Sequence, residues 1–174
     1  RGPSIARRVI VWCAAAFLVL VILSVLFGPP TGRARETANR IKCASNLRQI
    51  GQSAFLYASN HGGQLPPDIP TLFQSDPDNL LPEVFTCASS DDEKSRGPTT
   101  QQIAADLISG NHLSYAWTGA GLMSSAPADT IVAFDLARHV PKAKAKSTGI
   151  NVLQVDGSVS FVNEPTASWI LAQF

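Results

Sequence analysis

An uninterrupted apolar run at residues 9–27 is the strongest pattern in this chain. As a helix, its 19 residues would extend roughly 29 Å at about 1.5 Å per residue, close to the hydrocarbon thickness of a bilayer. The run contains no charge, and its one hydroxyl, on Ser24, can bond back to the helix. The pattern predicts a retained transmembrane anchor, and Gly28-Pro29-Pro30 predicts a break after it.

A helical period of apolar positions follows the break, at residues 33–60. Arg40 and Arg48 fall between these positions, which gives the segment a polar face and an apolar face. The recurring apolar-face positions are Ile41, Ala44, Leu47, Ile50 or Gly51, Ala54, Phe55 and Ala58. Asn60-His61-Gly62-Gly63, followed by Pro66-Pro67, predicts the end of this amphipathic helix.

The middle of the chain predicts short elements. Residues 64–100 are rich in proline, serine and aspartate, which favours loops. We expect a loop around residues 87–92. The remaining predicted elements are short helices at 69–74 and 101–108 and strands at 112–117 and 130–134.

The clearest strand signal comes near the end. Two alternating runs, residues 151–155 and 158–162, flank Asp156-Gly157. An Asp-Gly pair between apolar runs predicts a hairpin with a type I′ turn, in which both turn residues have positive φ. A final helix is expected at residues 166–173. A sheet of this size needs a cover, and the 33–60 helix can supply it. The predicted fold class is α+β, with an amphipathic helix packed on a small antiparallel sheet.

Composition and charge restrict the possible functions. The chain has 174 residues and a formal net charge of +1. We predict a tail and anchor at residues 1–30 and one domain at residues 31–174, which is long enough for its own core. That domain holds 11 of the 14 basic residues and all 13 acidic residues, so its charge is near −2. This balance argues against nucleic acid as a partner. The lysines at 142, 144 and 146 predict a solvated loop.

The charges around the apolar run do not fix its orientation alone. Basic residues lie both before it, at Arg7 and Arg8, and shortly after it. A cleaved signal peptide is the alternative to an anchor, but the run exceeds the usual length of about 7–15 residues. We expect the bacterial inner membrane, with the N-terminus in the cytoplasm and the C-terminal domain in the periplasm. This expectation uses the cysteines and the resemblance described below.

The chain has three cysteines. Cys13 lies in the apolar run, where it serves as a small packing residue or faces lipid. Cys43 and Cys87 form a pair in the C-terminal domain, so an oxidising compartment would allow a disulfide between them. The alternative is two free buried thiols. Neither cysteine has a second ligand at the spacing of a zinc site, so no metal is expected.

The order of these motifs resembles that of the pseudopilin-like proteins of the prepilin-type class, common in planctomycetes and related bacteria. Residues 43–51 read Cys-x-x-Asn-Leu-x-Gln-Ile-Gly, the block that follows the apolar helix in that family. Residues 84–87 resemble its second cysteine block, and residues 151–159 resemble its Asp-Gly hairpin. The resemblance implies a pilin-like fold and a membrane-anchored, structural role.

Two positions depart from that family. Its processing site has a glycine before the cleavage point and a glutamate five residues after it. Arg7 and Trp12 occupy the corresponding positions here. The glutamate is thought to pair with a neighbouring subunit's N-terminus in a filament, and Trp12 cannot form that pair. The substitutions therefore put both cleavage and filament assembly in doubt.

The sequence shows little that indicates catalysis. Ser114, His139 and Asp156 could be combined into a Ser-His-Asp set, but nothing in the sequence fixes their geometry. His61 and His112 lie in unrelated segments. Five acids could supply oxygens to Ca²⁺ but lack the spacing of a calcium loop: Asp76, Asp78, Asp91, Asp92 and Glu93. We therefore predict no enzymatic activity and no cofactor.

Two functions remain from the sequence. The first is a non-catalytic accessory or scaffold subunit of a larger membrane protein complex. The second is a subunit of a type IV pilus-like filament or secretion pseudopilus, whose partners would be copies of itself. In the first case the anchor packs against other integral membrane subunits within the lipid bilayer. Small residues allow such close packing, and an indole favours the membrane interface. The predicted interface residues are Trp12, Ala14, Ala15, Ala16 and Ser24.

Overall fold

A computed structural model of the chain describes residues 5–27, 32–110, 112–136 and 148–173. The chain divides into two units, Arg1–Thr31 and Gly32–Phe174. The predicted segment at residues 142–146 and the candidate residue His139 lie outside the described residues.

The first unit contains helix α1, Ile5–Phe27. Its window Arg7–Ser24 is long and apolar enough to cross a membrane by length and composition. The Ser24 hydroxyl donates to the Val21 carbonyl at 2.8 Å, so the one hydroxyl of the apolar run is satisfied within the helix. The predicted apolar N-terminal helix is therefore confirmed.

The long helix of the second unit is α2, Gly32–Asn60, close to the predicted bounds. It ends where His61 N and Gly63 N both donate to the Ala58 carbonyl, at 3.0 and 2.8 Å. Gly62 and Gly63 have φ values of 63° and 87°, which glycine adopts at low cost. The glycine pair thus ends the helix as the sequence predicts.

The predicted short helices are confirmed with small shifts in their bounds. Helix α3 covers Ile69–Ser75, and the Asp68 carboxylate caps it by accepting from Thr71 N at 2.7 Å. Helix α4 covers Thr100–Leu107 and begins after Thr99, whose hydroxyl accepts from Gln102 N. A 3₁₀ turn, Pro82–Phe85, lies between them.

The described strands form one antiparallel sheet of four strands in the order β1-β2-β3-β4. Their bounds are Tyr115–Trp117 for β1, Ile131–Asp135 for β2, Gly149–Gln154 for β3 and Val159–Asn163 for β4. The mixed helix and antiparallel sheet confirm the predicted α+β class.

Strand β1 is shorter than the strand predicted at residues 112–117. The His112 ring contacts the Glu93 carbonyl at 2.8 Å, and Ser114 N donates to the Phe85 carbonyl at 2.9 Å. These bonds attach the preceding residues to the 3₁₀ turn and to the segment after Cys87, and the register with β2 begins at Tyr115.

Asp156 and Gly157 lie in the β3–β4 turn, but the predicted type I′ geometry is wrong. Among the described residues only glycines have positive φ, so Asp156 does not, whereas Gly157 has φ 82°. Gly157 N donates to the Gln154 carbonyl, and Gln154 N donates to the Ser158 carbonyl, both at 2.9 Å. The result is a three-residue loop with glycine at the left-handed position. Val155 causes the difference, because its N–H donates to Thr130 of the neighbouring chain segment at 2.8 Å.

The sheet is covered on both faces. Leu47 and Ile50 of α2 belong to the core cluster that includes Leu153 of β3, whereas Val152, the neighbouring strand residue, belongs to a second cluster. Helix α5, Thr166–Leu171, supplies the second cluster with Ala167 and Ile170. Alternate side chains of a strand point to opposite faces, so α2 and α5 lie on opposite sides of the sheet.

Candidate functional site

The candidate site built by the sequence motifs is a seam along one side of α2. Cys43 and Cys87 form a disulfide with their Cα atoms 5.2 Å apart. Both residues are buried, Cys43 fully and Cys87 to 3% exposure. The bond attaches the loop that follows the 3₁₀ turn to the middle of the helix.

Hydrogen bonds continue the seam on both sides of the disulfide. Glu36 accepts from the Ser89 hydroxyl at 2.8 Å, and Asn39 Nδ2 donates to the Ala88 carbonyl at 3.1 Å. Beyond the disulfide, Asn46 Nδ2 donates to the Thr86 carbonyl at 3.0 Å. Positions three or four apart share one helix face, so the helix side chains at 36, 39, 43 and 46 meet the loop residues 89, 88, 87 and 86 in turn.

Asn46 also reaches the sheet. Its Nδ2 lies 3.2 Å from the hydroxyl of Tyr115, which is fully buried at the start of β1. Burial raises the pKa of the Tyr115 hydroxyl well above its usual range, and the nearby Asp135 carboxylate adds to the shift while the Asn46 hydrogen bond opposes it. The hydroxyl therefore stays neutral and serves as a structural hydrogen-bonding group.

Ser114 forms a second connection to the disulfide loop. Its hydroxyl is buried, accepts from Cys87 N at 2.8 Å and donates to Asp92 Oδ2 at 2.5 Å. The Ser90 hydroxyl lies 2.9 Å from it. Ser114 thus fixes the backbone at Cys87, and the carboxylate that accepts from its hydroxyl is that of Asp92.

Asp156, the acid of the Ser-His-Asp set considered from the sequence, has a separate role. Its Oδ1 accepts from Ser158 N at 2.8 Å, within the hairpin turn. The hydrogen bonds from Ser158 lower the pKa of this carboxyl. Asp156 is therefore a turn residue, whereas the carboxylate bonded to Ser114 belongs to Asp92.

The two described histidines lie in different parts of the domain. The His61 ring stacks on Tyr57 with centroids 3.7 Å apart, and its Nδ1 contacts the Tyr57 carbonyl at 2.7 Å. The His112 ring contacts the Glu93 carbonyl, and its Nε2 lies 3.6 Å from Asp106 Oδ2. A carbonyl can only accept, so Nδ1 of each ring carries the proton.

The acids considered for calcium are divided between two segments. Asp76 accepts from the Ser53 hydroxyl and from Asn79 Nδ2, each at 2.7 Å, and so fixes the end of α3 against α2. Asp92 is bonded to Ser114 in the disulfide loop. Over the part of the chain that the structure describes, no three His, Cys, Asp or Glu side chains are grouped as a metal ion would require.

The predicted interface residues of α1 do not all share one face. At about 100° per residue, Trp12, Ala15 and Ala16 point to one side of the helix, whereas Ala14 points away from it. All of these side chains are exposed, with Trp12 at 75%. Trp12, Ala15 and Ala16 therefore share one patch of the helix surface, and the packing interface stays a prediction.

Sequence reasoning missed the buried polar connections around the seam. A signal was present for Asn46, because it lies within the apolar stripe of α2 between Cys43 and Ile50. A polar side chain at such a position requires buried hydrogen-bond partners. Ser114 and Asp92 gave no comparable signal, since Ser114 is an ordinary position of the strand predicted at residues 112–117 and Asp92 falls in a predicted loop.

Comparisons with protein-family models, with curated proteins and with solved structures find no match to this chain.

Proposed function

We propose that this protein is a non-catalytic accessory or scaffold subunit of a larger membrane protein complex, with one transmembrane helix and a pseudopilin-like C-terminal domain. The observation that carries the proposal is α1. Its window Arg7–Ser24 has the mean hydropathy and length of a membrane span, with Arg7 and Arg8 at its first two positions, and its described side chains are exposed rather than buried in a core. An apolar helix of this length requires either lipid or other helices around it.

The bonding of the polar side chains supports a structural role for the C-terminal domain. Ser114, Asp92 and Asn46 make buried or half-buried hydrogen bonds that hold the disulfide loop on α2. His61 and His112 are each bound to a backbone carbonyl. These groups build the domain, which is the arrangement expected of a scaffold whose exposed surfaces meet other subunits.

The disulfide supports a location outside the reducing cytoplasm. Structural disulfides form and persist in the periplasm and other oxidising compartments. Cys43–Cys87 lies in the C-terminal domain, so the proposed topology has the N-terminus in the cytoplasm and the domain in the periplasm of a bacterial inner membrane.

Position 12 favours the scaffold over a filament. The resemblance to pseudopilins would require a glutamate there to pair with a neighbouring N-terminus, and the chain has Trp12. Arg7 likewise replaces the processing glycine. A pilus-like filament or secretion pseudopilus is therefore the second candidate, supported by the motif order alone.

Purification through a C-terminal tag in a mild detergent tests the proposal. A scaffold subunit should elute with a fixed set of other integral membrane proteins at constant stoichiometry, and chemical cross-linking should join them through the C-terminal domain. A variant without residues 1–30, exported by a cleavable signal peptide, serves as the control and should lose most of these proteins. Elution as helical assemblies of this chain alone would instead identify a filament subunit, and elution as a monomer would exclude both.

A further inference from the structure

A groove of about 410 Å³ lies on the C-terminal domain beside α5 and is not part of the disulfide seam. Six residues line it: Thr118, Asp129, Ile131, Trp169, Ile170 and Gln173. We call it the Trp169 groove. Its size is within the range of sites that accept a small molecule or a few side chains.

The groove has an apolar base and an aromatic wall. Ile170 belongs to the core cluster under α5, and Ile131 packs against that cluster. Trp169 lies one residue before Ile170, and its side chain is 64% exposed. A large indole left in water beside an apolar surface is typical of positions that become buried when a partner binds.

The electrostatics of the groove favour a cation. Asp129 is the one charged residue among the six that line it. Asp129 is exposed, so its carboxylate is open to a ligand that arrives from solvent.

We propose that the Trp169 groove binds a segment of a partner protein that presents an arginine or lysine side chain next to an apolar residue. The cationic head lies over the indole face and beside the Asp129 carboxylate, and the apolar residue covers Ile131. An anionic segment would be repelled by Asp129, and a purely apolar segment would desolvate the Asp129 carboxylate without compensation. The proposal depends on the proposed function in one respect: the complex supplies the partner protein that carries the segment.

A peptide titration of the full-length protein in lipid nanodiscs tests the binding chemistry directly. Labelling with 5-fluorotryptophan gives three ¹⁹F signals, from Trp12, Trp117 and Trp169, and the variant Trp169→Phe assigns the last. The probe is acetyl-Gly-Arg-Leu-Gly-amide. Its control is the same peptide with citrulline, which keeps the shape of arginine and removes the charge.

The arginine peptide should shift the Trp169 signal saturably and leave the Trp117 signal unchanged, because the Trp117 indole N–H is bonded to the Pro66 carbonyl. The citrulline peptide should bind about three- to fivefold more weakly than the arginine peptide. The variant Asp129→Asn should bind the arginine peptide more weakly than wild type does, by a similar factor. Asp78→Asn changes an exposed acid outside the groove and should leave the affinity for the arginine peptide unaltered.

Three results would overturn the proposal: an unmoved Trp169 signal, equal binding of the two peptides, or equal binding by wild type and Asp129→Asn. Equal binding of the peptides would identify an apolar groove without charge selection. None of these results depends on whether the protein is a scaffold or a filament subunit, so the two proposals fail separately.

Discussion

Asn46 and Tyr115 are 69 positions apart in the chain, yet the Asn46 amide nitrogen lies 3.2 Å from the Tyr115 hydroxyl. The same nitrogen donates to the Thr86 carbonyl at 3.0 Å. An amide NH₂ has two N–H groups, so one side chain satisfies both acceptors. Asn46 is 6% exposed, and it joins α2, the disulfide loop and β1 inside the core.

Replacing Asn46 should therefore lower the folding stability of the domain. Asn46→Ala removes the donor from two acceptors in a buried setting, and we expect the free energy of unfolding to fall by about 2–3 kcal/mol. Urea unfolding of the full chain in micelles, followed by pulse proteolysis, measures it. Gln49→Ala is the control, because the Gln49 amide donates to the Ser45 carbonyl of its own helix, at 3.4 Å, and so joins no other element within the described residues. Equal losses from the two variants would contradict the role assigned to Asn46.

Removing the disulfide should also destabilise the domain. Cys43 and Cys87 are 44 positions apart, and the chain-entropy relation gives about 4 kcal/mol for a loop of that length. We expect the double variant Cys43→Ala/Cys87→Ala to lose most of that stability, measured by the same unfolding assay. Cys13→Ala should have no effect on it. Alkylation of two cysteines in the unreduced, denatured wild type besides Cys13 would show that the bond does not form.

Gly51 lets β3 approach α2. A Cβ at this position would lie 2.9 Å from Cδ1 of Leu153, closer than side chains tolerate without movement. Gly51→Ala should therefore lower the free energy of unfolding by about 1–3 kcal/mol, even though alanine favours a helix. The second substitution Leu153→Val should recover part of the loss by opening space. Gly110→Ala is the matched control, because its Cβ would have only an ordinary contact, at 3.6 Å, with His112.

The Asp106 carboxylate should contribute to the loss of folding stability at acid pH. Hydrogen bonds from Arg96 N and the Ser95 hydroxyl lower its pKa below the ordinary 3.8. Because the folded pKa is the lower one, the stabilisation is present above the unfolded pKa of about 3.9 and is lost as pH falls through the folded pKa. Asp106→Asn should thus make stability fall less steeply below about pH 4. Asp78→Asn serves as the comparison, and identical slopes for wild type and Asp106→Asn would contradict the assignment.

The sequence was sufficient for elements that depend on local pattern. Helix α2 has both a sustained apolar period and the glycine pair at 62 and 63, so its bounds agree with the prediction. The hairpin turn was misassigned because its geometry depends on a non-local bond, from Val155 to Thr130. Helix α5 was predicted as a helix, but its packing on the second face of the sheet was not. Contact between distant segments leaves no short-range signal in the sequence.

The candidate site shows the same division. The pairing of Cys43 with Cys87 could be inferred because they were the two cysteines outside the apolar run. The connections of Asn46 to Tyr115 and of Ser114 to Asp92 could not, because each joins segments whose approach is set by the folded core. The Trp169 groove was missed for a similar reason, since Asp129 and Trp169 line one groove only after α5 packs on the sheet.

The last prediction concerns α1 as a packing surface. Apolar helices in lipid gain little from hydrophobicity, so their association depends on close approach at small residues. Ala15 and Ala16 lie on the same side of α1 as Trp12, and leucines there would hold a neighbouring helix away. If the proposed complex exists, we expect Ala15→Leu/Ala16→Leu to reduce co-purification with its other subunits at least several-fold while leaving membrane insertion intact. The control Ile10→Leu/Val21→Leu changes the opposite side and should leave the wild-type ratio. If the alanine variant also kept that ratio, α1 would be a tether that lipid surrounds, and contact with the complex would lie in the C-terminal domain.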